Sequence, residues 1–120
     1  MSKPVGPYTP AMHAGDFLMI SGQIGHVDGT LVDGGLDVEA PKALENLKKL
    51  LELEGVSLNQ VVKTTVFLTD MDDYVRMNEI YCAVFDEHRP ARSAVAVAAL
   101  PLGACIEIEA MVYKLSLIHI

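Results

Sequence analysis

Apolar and polar residues alternate along several stretches of the chain, and this alternation predicts β-strands. A period of two places successive side chains on opposite faces of a sheet, so that one face can be buried. Glycine and proline residues between these stretches mark turns. Alternation predicts strands at residues 61–69, 92–97 and 106–112. A tight turn at residues 14–15 beside an apolar run predicts two more at 11–13 and 16–23, and a further short strand lies at 30–32 inside a loop rich in glycine and aspartate.

Two segments have the spacing of amphipathic helices, in which apolar residues return every three or four positions. The first covers residues 37–54, and Gly55 suits its end. The second covers residues 70–87, and its apolar stripe also contains Asn78. A buried amide needs hydrogen-bond partners, so Asn78 has either a structural partner in a loop, which is the commoner case, or a place beside a site. The stripe comprises Met71, Tyr74, Val75, Tyr81, Cys82 and Phe85.

The order of these elements predicts an α+β domain that covers residues 1–120. Both helices lie between strands in the chain, which allows a single sheet with two helices packed on one face. The other face of such a sheet carries apolar residues and has no cover. Because burial of that face by association is the natural solution, we expect a homo-oligomer.

Composition narrows the range of partners. The formal charge is −7, and the nine basic residues form no cluster, which argues against nucleic-acid binding because that binding depends on neutralising phosphates. No run approaches the roughly 18 apolar residues that span a bilayer, and the N-terminus lacks an apolar secretory segment, so we expect a soluble, cytoplasmic protein with no membrane contact. The two cysteines and four histidines lack metal-ligand spacing, and we therefore expect no metal site.

The candidate chemistry lies between residues 88 and 109. Arg92 opens one alternating run, and Glu107 and Glu109 project from one face of the next. A turn signal at residues 100–103 separates the two runs and favours a hairpin-like return. Two carboxylates this close repel each other, and a cation on a neighbouring strand or a bound ligand would reduce that repulsion. Arg92 is a candidate for that cation.

Two further positions are candidates for a binding site. Tyr8 is held between prolines, and its ring either caps the core or lines a pocket. Ser21 and Gly22 lie at the end of the predicted strand 16–23, where glycine marks either a plain strand end or a close backbone approach with amide groups available to a ligand.

Six short motifs, taken in order along nearly the whole chain, make the sequence resemble the Rid (YjgF) family of reactive intermediate deaminases. None of these motifs is specific alone, and their order carries the match. They are Gly6-Pro7-Tyr8, Ile20-Ser21-Gly22-Gln23, Glu45-Asn46-Leu47, residues 62–68 (VKTTVFL), Pro90-Ala91-Arg92-Ser93 and residues 106–110 (IEIEA).

The resemblance implies a chorismate-mutase-like α+β fold with a mixed sheet of about six strands. It implies a homotrimer whose sheets line a central barrel and whose sites lie in clefts between subunits. It also implies the hydrolysis of 2-imino acids such as 2-iminobutanoate and 2-iminopropanoate, and of their enamine forms, which pyridoxal-phosphate enzymes release, to 2-oxo acids and ammonia. The partner is then a small imino or 2-oxo acid, and no cofactor is expected.

The resemblance assigns roles to individual residues. Arg92 matches the arginine that binds the substrate carboxylate, and Glu107 matches the glutamate that orients water. A guanidinium suits the first role because its planar fork binds a carboxylate through two hydrogen bonds. Tyr8, Ser21, Gly22 and Asn78 match substrate-binding positions, whereas Glu109 is left as a structural or interface charge.

Several residues depart from the family pattern. Ala94 stands where many members have cysteine, which removes a thiol-based role, and Pro10 and Ala99 replace a frequent glutamine and arginine. Residues 116–120 lie beyond the pattern and either extend the last strand or are a tail foreign to the domain. Three other functions stay open: a 2-oxo-acid-binding regulatory module without turnover, a ribonuclease or translation inhibitor, which the acidic charge disfavours, and a chaperone.

Overall fold

The computed structural model describes residues 6–114, so the predictions for residues 116–120 lie outside the described part. Its two helices are α1 (Leu36–Leu53) and α2 (Tyr74–Phe85). Short 3-10 turns precede β5, α2 and β7, at Leu58–Gln60, Met71–Asp73 and Pro101–Gly103. The strands are β1 (Ala11–Ala14), β2 (Phe17–Gln23), β3 (His26–Val27), β4 (Thr30–Leu31), β5 (Val61–Leu68), β6 (Ala91–Ala96) and β7 (Ile106–Tyr113).

Five strands form the main sheet in the order β1-β2-β7-β5-β6, and β3 and β4 form a separate hairpin. Among the strands of residues 6–114 only β5 and β6 run parallel to each other, and α2 connects them as a crossover. The predicted α+β arrangement, with two helices packed on one side of a mixed sheet, is confirmed. Within residues 6–114 neither helix combines the length and the apolar character that crossing a membrane requires.

The predicted hairpin-like return between β6 and β7 is wrong. β5 lies between these two strands, and Thr64 of β5 pairs with Arg92 on one side and with Ala110 on the other. The parallel crossover places β6 outside β5, so the chain after β6 must pass β5 before β7 enters the sheet. A turn signal between two alternating runs cannot distinguish this path from a hairpin, because both need a turn at the same residues.

The buried faces of the sheet and of α1 agree with the predicted periodicity. Ile106, Ile108, Ala110 and Val112 of β7 are buried beneath the helices. In α2 the predicted stripe is partly wrong, because Met77 and Ile80 are buried whereas Val75 and Cys82 are exposed. The 3-10 turn before α2 breaks the helical phase, and so Met71 does not belong to the same stripe as the helix.

The other face of the sheet carries apolar side chains without cover from the described residues of the same chain. Strand alternation assigns Met19 and Phe17 of β2, Met111 and Tyr113 of β7, Phe67 of β5 and Val95 of β6 to this open face.

Candidate active site

Arg92 lies on the helix side of the sheet, where α2 holds its guanidinium group. The guanidinium carbon lies 4.9 Å from the centre of the Tyr81 ring and 5.7 Å from that of Tyr74. Nη2 donates a hydrogen bond to the Tyr74 hydroxyl at 3.2 Å, and Nη1 lies 3.7 Å from the sulfur of Met77. Among residues 6–114 no carboxylate forms an ion pair with this arginine. The arrangement presents an uncompensated cation on aromatic support, which suits an anionic ligand.

The Tyr81 ring beneath Arg92 is held in place by burial and by a hydrogen bond. Tyr81 is buried, and its hydroxyl shares a 2.8 Å hydrogen bond with the buried hydroxyl of Thr64. Burial raises the pKa of Tyr81, against the hydrogen bond from Thr64 and the charge of Arg92, so its hydroxyl keeps its proton. Thr64 is also the register partner of Arg92 on the adjacent strand, and one short network therefore holds both the ring and the strand that carries the arginine.

Tyr74 and Tyr81 belong to the predicted apolar stripe of α2, and no sequence motif assigns them to the site. The signal was their spacing, because Tyr74, Met77 and Tyr81 share one face of a helix at i, i+3 and i+7. The spacing alone could not identify them, since nothing in the sequence shows which strand that face meets.

Asn78 lies on the same face of α2 as Tyr74 and Tyr81, one turn from each. Its Oδ1 atom is buried and has no hydrogen-bond partner within the described part of the chain. The structural partner that we considered the commoner case is therefore not found for this oxygen among those residues. An unpaired buried amide oxygen costs about 1–3 kcal/mol, which favours a donor supplied by a ligand or by another chain.

Glu107 lies on the open face of β7, beside Gly22 of β2. A side-chain carbon added at Gly22 would lie 2.6 Å from Cδ of Glu107 and 2.7 Å from Oε2, so only glycine leaves room for this carboxylate. The register between β2 and β7 shifts between Ile20 and Gln23, which places Gly22 in an irregular segment. Desolvation and, to a smaller extent, the charge of Glu109 raise the pKa of Glu107. Its carboxylate can therefore accept a proton more readily than an exposed glutamate.

The loop that carries Tyr8 is fastened to the same end of β2. The Ser21 hydroxyl donates to the Thr9 carbonyl oxygen at 2.6 Å, and the Ser21 amide donates to the Pro10 carbonyl oxygen at 2.9 Å. Tyr8 is 41% exposed, so its ring does not cap the core. The structure thus gathers the Tyr8 loop, Ser21, Gly22 and Glu107 into one region.

Arg92 and Glu107 do not meet within one chain. β5 separates their strands, and the register places Arg92 opposite Thr64 but Glu107 opposite Phe67, on the other face of the sheet. Strand spacing and rise put their Cα atoms about 14 Å apart. The hypothesis that Arg92 relieves the repulsion between Glu107 and Glu109 is therefore wrong for a single chain, because β5 and a change of face intervene.

Neither cysteine is placed for nucleophilic chemistry in this region. Burial, with a further contribution from Glu39, raises the pKa of the Cys105 thiol to about 12, so it stays protonated at neutral pH. Cys82 is exposed on α2. The carboxylate of Glu39 is buried and accepts the Cys105 amide hydrogen at 2.9 Å, which anchors the start of β7 two residues before Glu107.

A family model, curated proteins and a solved structure all relate this chain to the same family. The family model described as Endoribonuclease L-PSP matches residues 1–114. A RutC family protein from Pyrococcus horikoshii is 50% identical over 93% of this chain and 90% of its own length. The mouse protein named 2-iminobutanoate/2-iminopropanoate deaminase is 48% identical over 89% of this chain and 81% of its own length. The crystal structure of RidA from an Antarctic Psychrobacter, 42% identical, superimposes with a TM-score of 0.88 over 93% of this chain and 92% of that one. The chain belongs to the Rid (YjgF) family, whose model carries the description Endoribonuclease L-PSP.

Proposed function

We propose that this protein hydrolyses small 2-imino acids and their enamine forms, such as 2-iminobutanoate and 2-iminopropanoate, to 2-oxo acids and ammonia. The observation that carries the proposal is the guanidinium of Arg92, held on two tyrosine rings with no carboxylate paired to it among the described residues. Such a group binds the carboxylate that every 2-imino acid carries. The names of the mammalian relatives agree with this activity.

The reaction needs a water molecule and two proton transfers. Water adds to the imine carbon, one of its protons passes through Glu107 to the nitrogen, and the C=N double bond becomes a C–N single bond in a neutral carbinolamine. The hydroxyl proton then passes through Glu107 to the nitrogen, the C–N bond breaks and the C=O bond forms, which releases ammonia. A carboxylate with a raised pKa suits both transfers, because its pKa lies closer to neutral pH and it can both accept and return a proton there. The step needs no covalent nucleophile and no cofactor.

We further propose that the site is completed between copies of this chain in a homotrimer. Arg92, with Asn78 on α2, lies on the helix side of the sheet, whereas Glu107, with Gly22 beside it and the Ser21 and Tyr8 segment near that end of β2, lies on the open face. Arg92 and Glu107 are therefore too far apart for one small substrate. A neighbouring copy that covers the open face with its edge strand β6 and with α2 would bring its own Arg92 to Glu107 of the first. It would also bury the apolar side chains of that face and bring its own Asn78 Oδ1 towards donors of the first copy.

Assembly can be tested with a charge on the open face. We expect the wild type to run in sedimentation equilibrium at three times the 13.0 kDa chain mass. Met19→Asp should dissociate the trimer, because assembly would bury the new charge in the interface. Dissociation separates the two halves of the site, so turnover should be abolished. Leu53→Asp, at the exposed end of α1, is the control and should keep both the trimeric mass and the wild-type turnover. A fully active wild-type monomer would contradict the intersubunit site.

Activity can be tested by coupling the protein to a threonine dehydratase and trapping the remaining imine with semicarbazide. We expect the wild type to accelerate 2-oxobutanoate release over buffer, and Glu107→Gln to lower kcat by about 100-fold, because an amide cannot accept the proton from water. Binding of 2-oxobutanoate without any acceleration by the wild type would instead identify a regulatory binding module.

The pH profile gives an independent check on Glu107. Because its folded pKa is raised and the reacting form is ionised, we expect kcat to fall as the pH drops through that raised value, above the range of an ordinary glutamate. The same shift has the opposite effect on stability, since protonation favours the folded state and that contribution is lost as the pH rises through the folded pKa. Glu109→Gln is the control, and by removing a repulsive charge it should move the acid limb to lower pH while it preserves the plateau. An unmoved limb in this variant, together with an unchanged plateau in Glu107→Gln, would exclude Glu107 as the base.

A further inference from the structure

We propose that Tyr74 is a second recognition group for the substrate carboxylate, acting beside Arg92 through its hydroxyl hydrogen. The proposal rests on the proposed function and adds to it a residue that lies outside the six family motifs. It also limits the substrate class to compounds with an ionised carboxylate next to the imine carbon.

The direction of the hydrogen bond between the two residues carries the inference. Arg92 has only donors, so at 3.2 Å its Nη2 must donate to the Tyr74 oxygen. A phenolic hydroxyl accepts and donates at once, and its own hydrogen is therefore not used in this contact. Within residues 6–114 no other hydrogen bond engages the Tyr74 hydroxyl. The hydrogen remains available to an acceptor that approaches Arg92.

The two tyrosines beneath Arg92 differ in this respect. The Tyr81 hydroxyl is bonded to Thr64, and the residue is only 4% exposed. Tyr74 is 38% exposed, so a ligand can reach its hydroxyl. Tyr81 thus serves as a fixed platform for the guanidinium, whereas Tyr74 stands at the edge where the carboxylate would bind.

The groups that Arg92 contacts leave its charge uncompensated, and this favours an anion. The acceptors that Arg92 contacts within residues 6–114 are a neutral hydroxyl and a thioether sulfur, and both are weaker acceptors than a carboxylate. An incoming carboxylate would take one oxygen to the guanidinium and share the other with the Tyr74 hydroxyl. The donation from Arg92 polarises that hydroxyl and strengthens it as a donor. A neutral carboxamide would gain much less from the same pair.

The test compares Tyr74→Phe with Tyr113→Phe. The first variant keeps the ring under Arg92 and removes only the hydroxyl, and the second removes a hydroxyl from the open face beside Phe17. For 2-iminobutanoate we expect Tyr74→Phe to raise KM about 10-fold and to leave kcat within about two-fold, since the carboxylate is bound equally in the ground state and the transition state. Calorimetry with 2-oxobutanoate should show the same loss of affinity, and Tyr113→Phe should match the wild type.

A substrate in which a carboxamide replaces the carboxylate separates recognition from a structural effect. Tyr74→Phe should process it as the wild type does, because the lost hydrogen bond is to the charged group. An equal loss on both substrates would overturn the proposal, as would unchanged 2-oxobutanoate affinity in Tyr74→Phe while Arg92→Ala has lost binding. If Arg92→Ala itself keeps full binding and turnover, the proposed function fails first, and the two failures are therefore distinguishable.

Discussion

Replacing Arg92 with alanine is expected to lower kcat/KM for 2-iminobutanoate by roughly 100- to 1,000-fold. The loss follows from two charge-assisted hydrogen bonds to the substrate carboxylate, together worth about 3–4 kcal/mol. Arg92→Lys should retain more of the wild-type kcat/KM than Arg92→Ala but less than the full value. An ammonium keeps the charge, but it lacks the planar fork and packs less well on the Tyr81 ring. Steady-state kinetics with the coupled dehydratase measures the effect.

The matched control is Arg89→Ala. Arg89 lies three residues earlier on an exposed loop, and its Nη1 donates to the backbone carbonyl oxygens of Asp86 and His88. Its removal should leave kcat/KM near that of the wild type. Because the stem of Arg92 also packs on α2, Arg92→Met should accompany the alanine variant, keeping apolar packing without the charge. Wild-type kinetics in a well-folded Arg92→Met would show that the arginine does not bind the carboxylate.

Replacing Gly25 with alanine is expected to destabilise the fold by about 3 kcal/mol, which corresponds to a fall in melting temperature of roughly 10 °C. An added Cβ would lie 2.5 Å from the carbonyl oxygen of Glu39 and 2.8 Å from its Cα atom. Both atoms belong to the backbone of α1, so no side chain can rotate away and the helix must move from the sheet. Calorimetry or thermal circular dichroism measures the change.

Gly22→Ala adds the same methyl group with a different expected result. The atoms that it meets belong to the end of the Glu107 side chain, which can rotate. We expect a melting temperature near that of the wild type and a kcat close to that of Glu107→Gln, because the carboxylate is displaced from its place beside β2. Equal loss of stability in both glycine variants would contradict this distinction, and so would full activity in Gly22→Ala.

The elements could be predicted because their signals are local. Alternation identified β5, β6 and β7, a tight turn beside an apolar run identified β1 and β2, and the 3.6-residue period identified both helices, with ends displaced by only a few residues. The buried face of β7 also followed from alternation, since Ile106 and Ile108 repeat every two residues. The phase of α2 was the exception, because a 3-10 turn at residues 71–73 interrupts the period without a distinct sequence signal.

The candidate site could be predicted only as a set of residues. Local pattern singled out Arg92, Glu107 and Gly22, and the family motifs added roles for them. Local pattern could not show that the missing side chain of Gly22 leaves room for the Glu107 carboxylate, because that contact joins residues 85 positions apart in the chain. Nor could it identify Tyr74, which has the sequence signature of a core residue.

The sequence by itself determined the α+β class, the apolar open face and the chemical groups available for binding a carboxylate and activating water. Only the tertiary structure decided that β5 separates Arg92 from Glu107 and that the two side chains point to opposite faces. Strand order depends on which hydrophobic faces can be buried together across distant parts of the chain, a property of the packed whole. That order converts one short stretch with an arginine and two acids into two half-sites, which we propose are joined by association of separate copies.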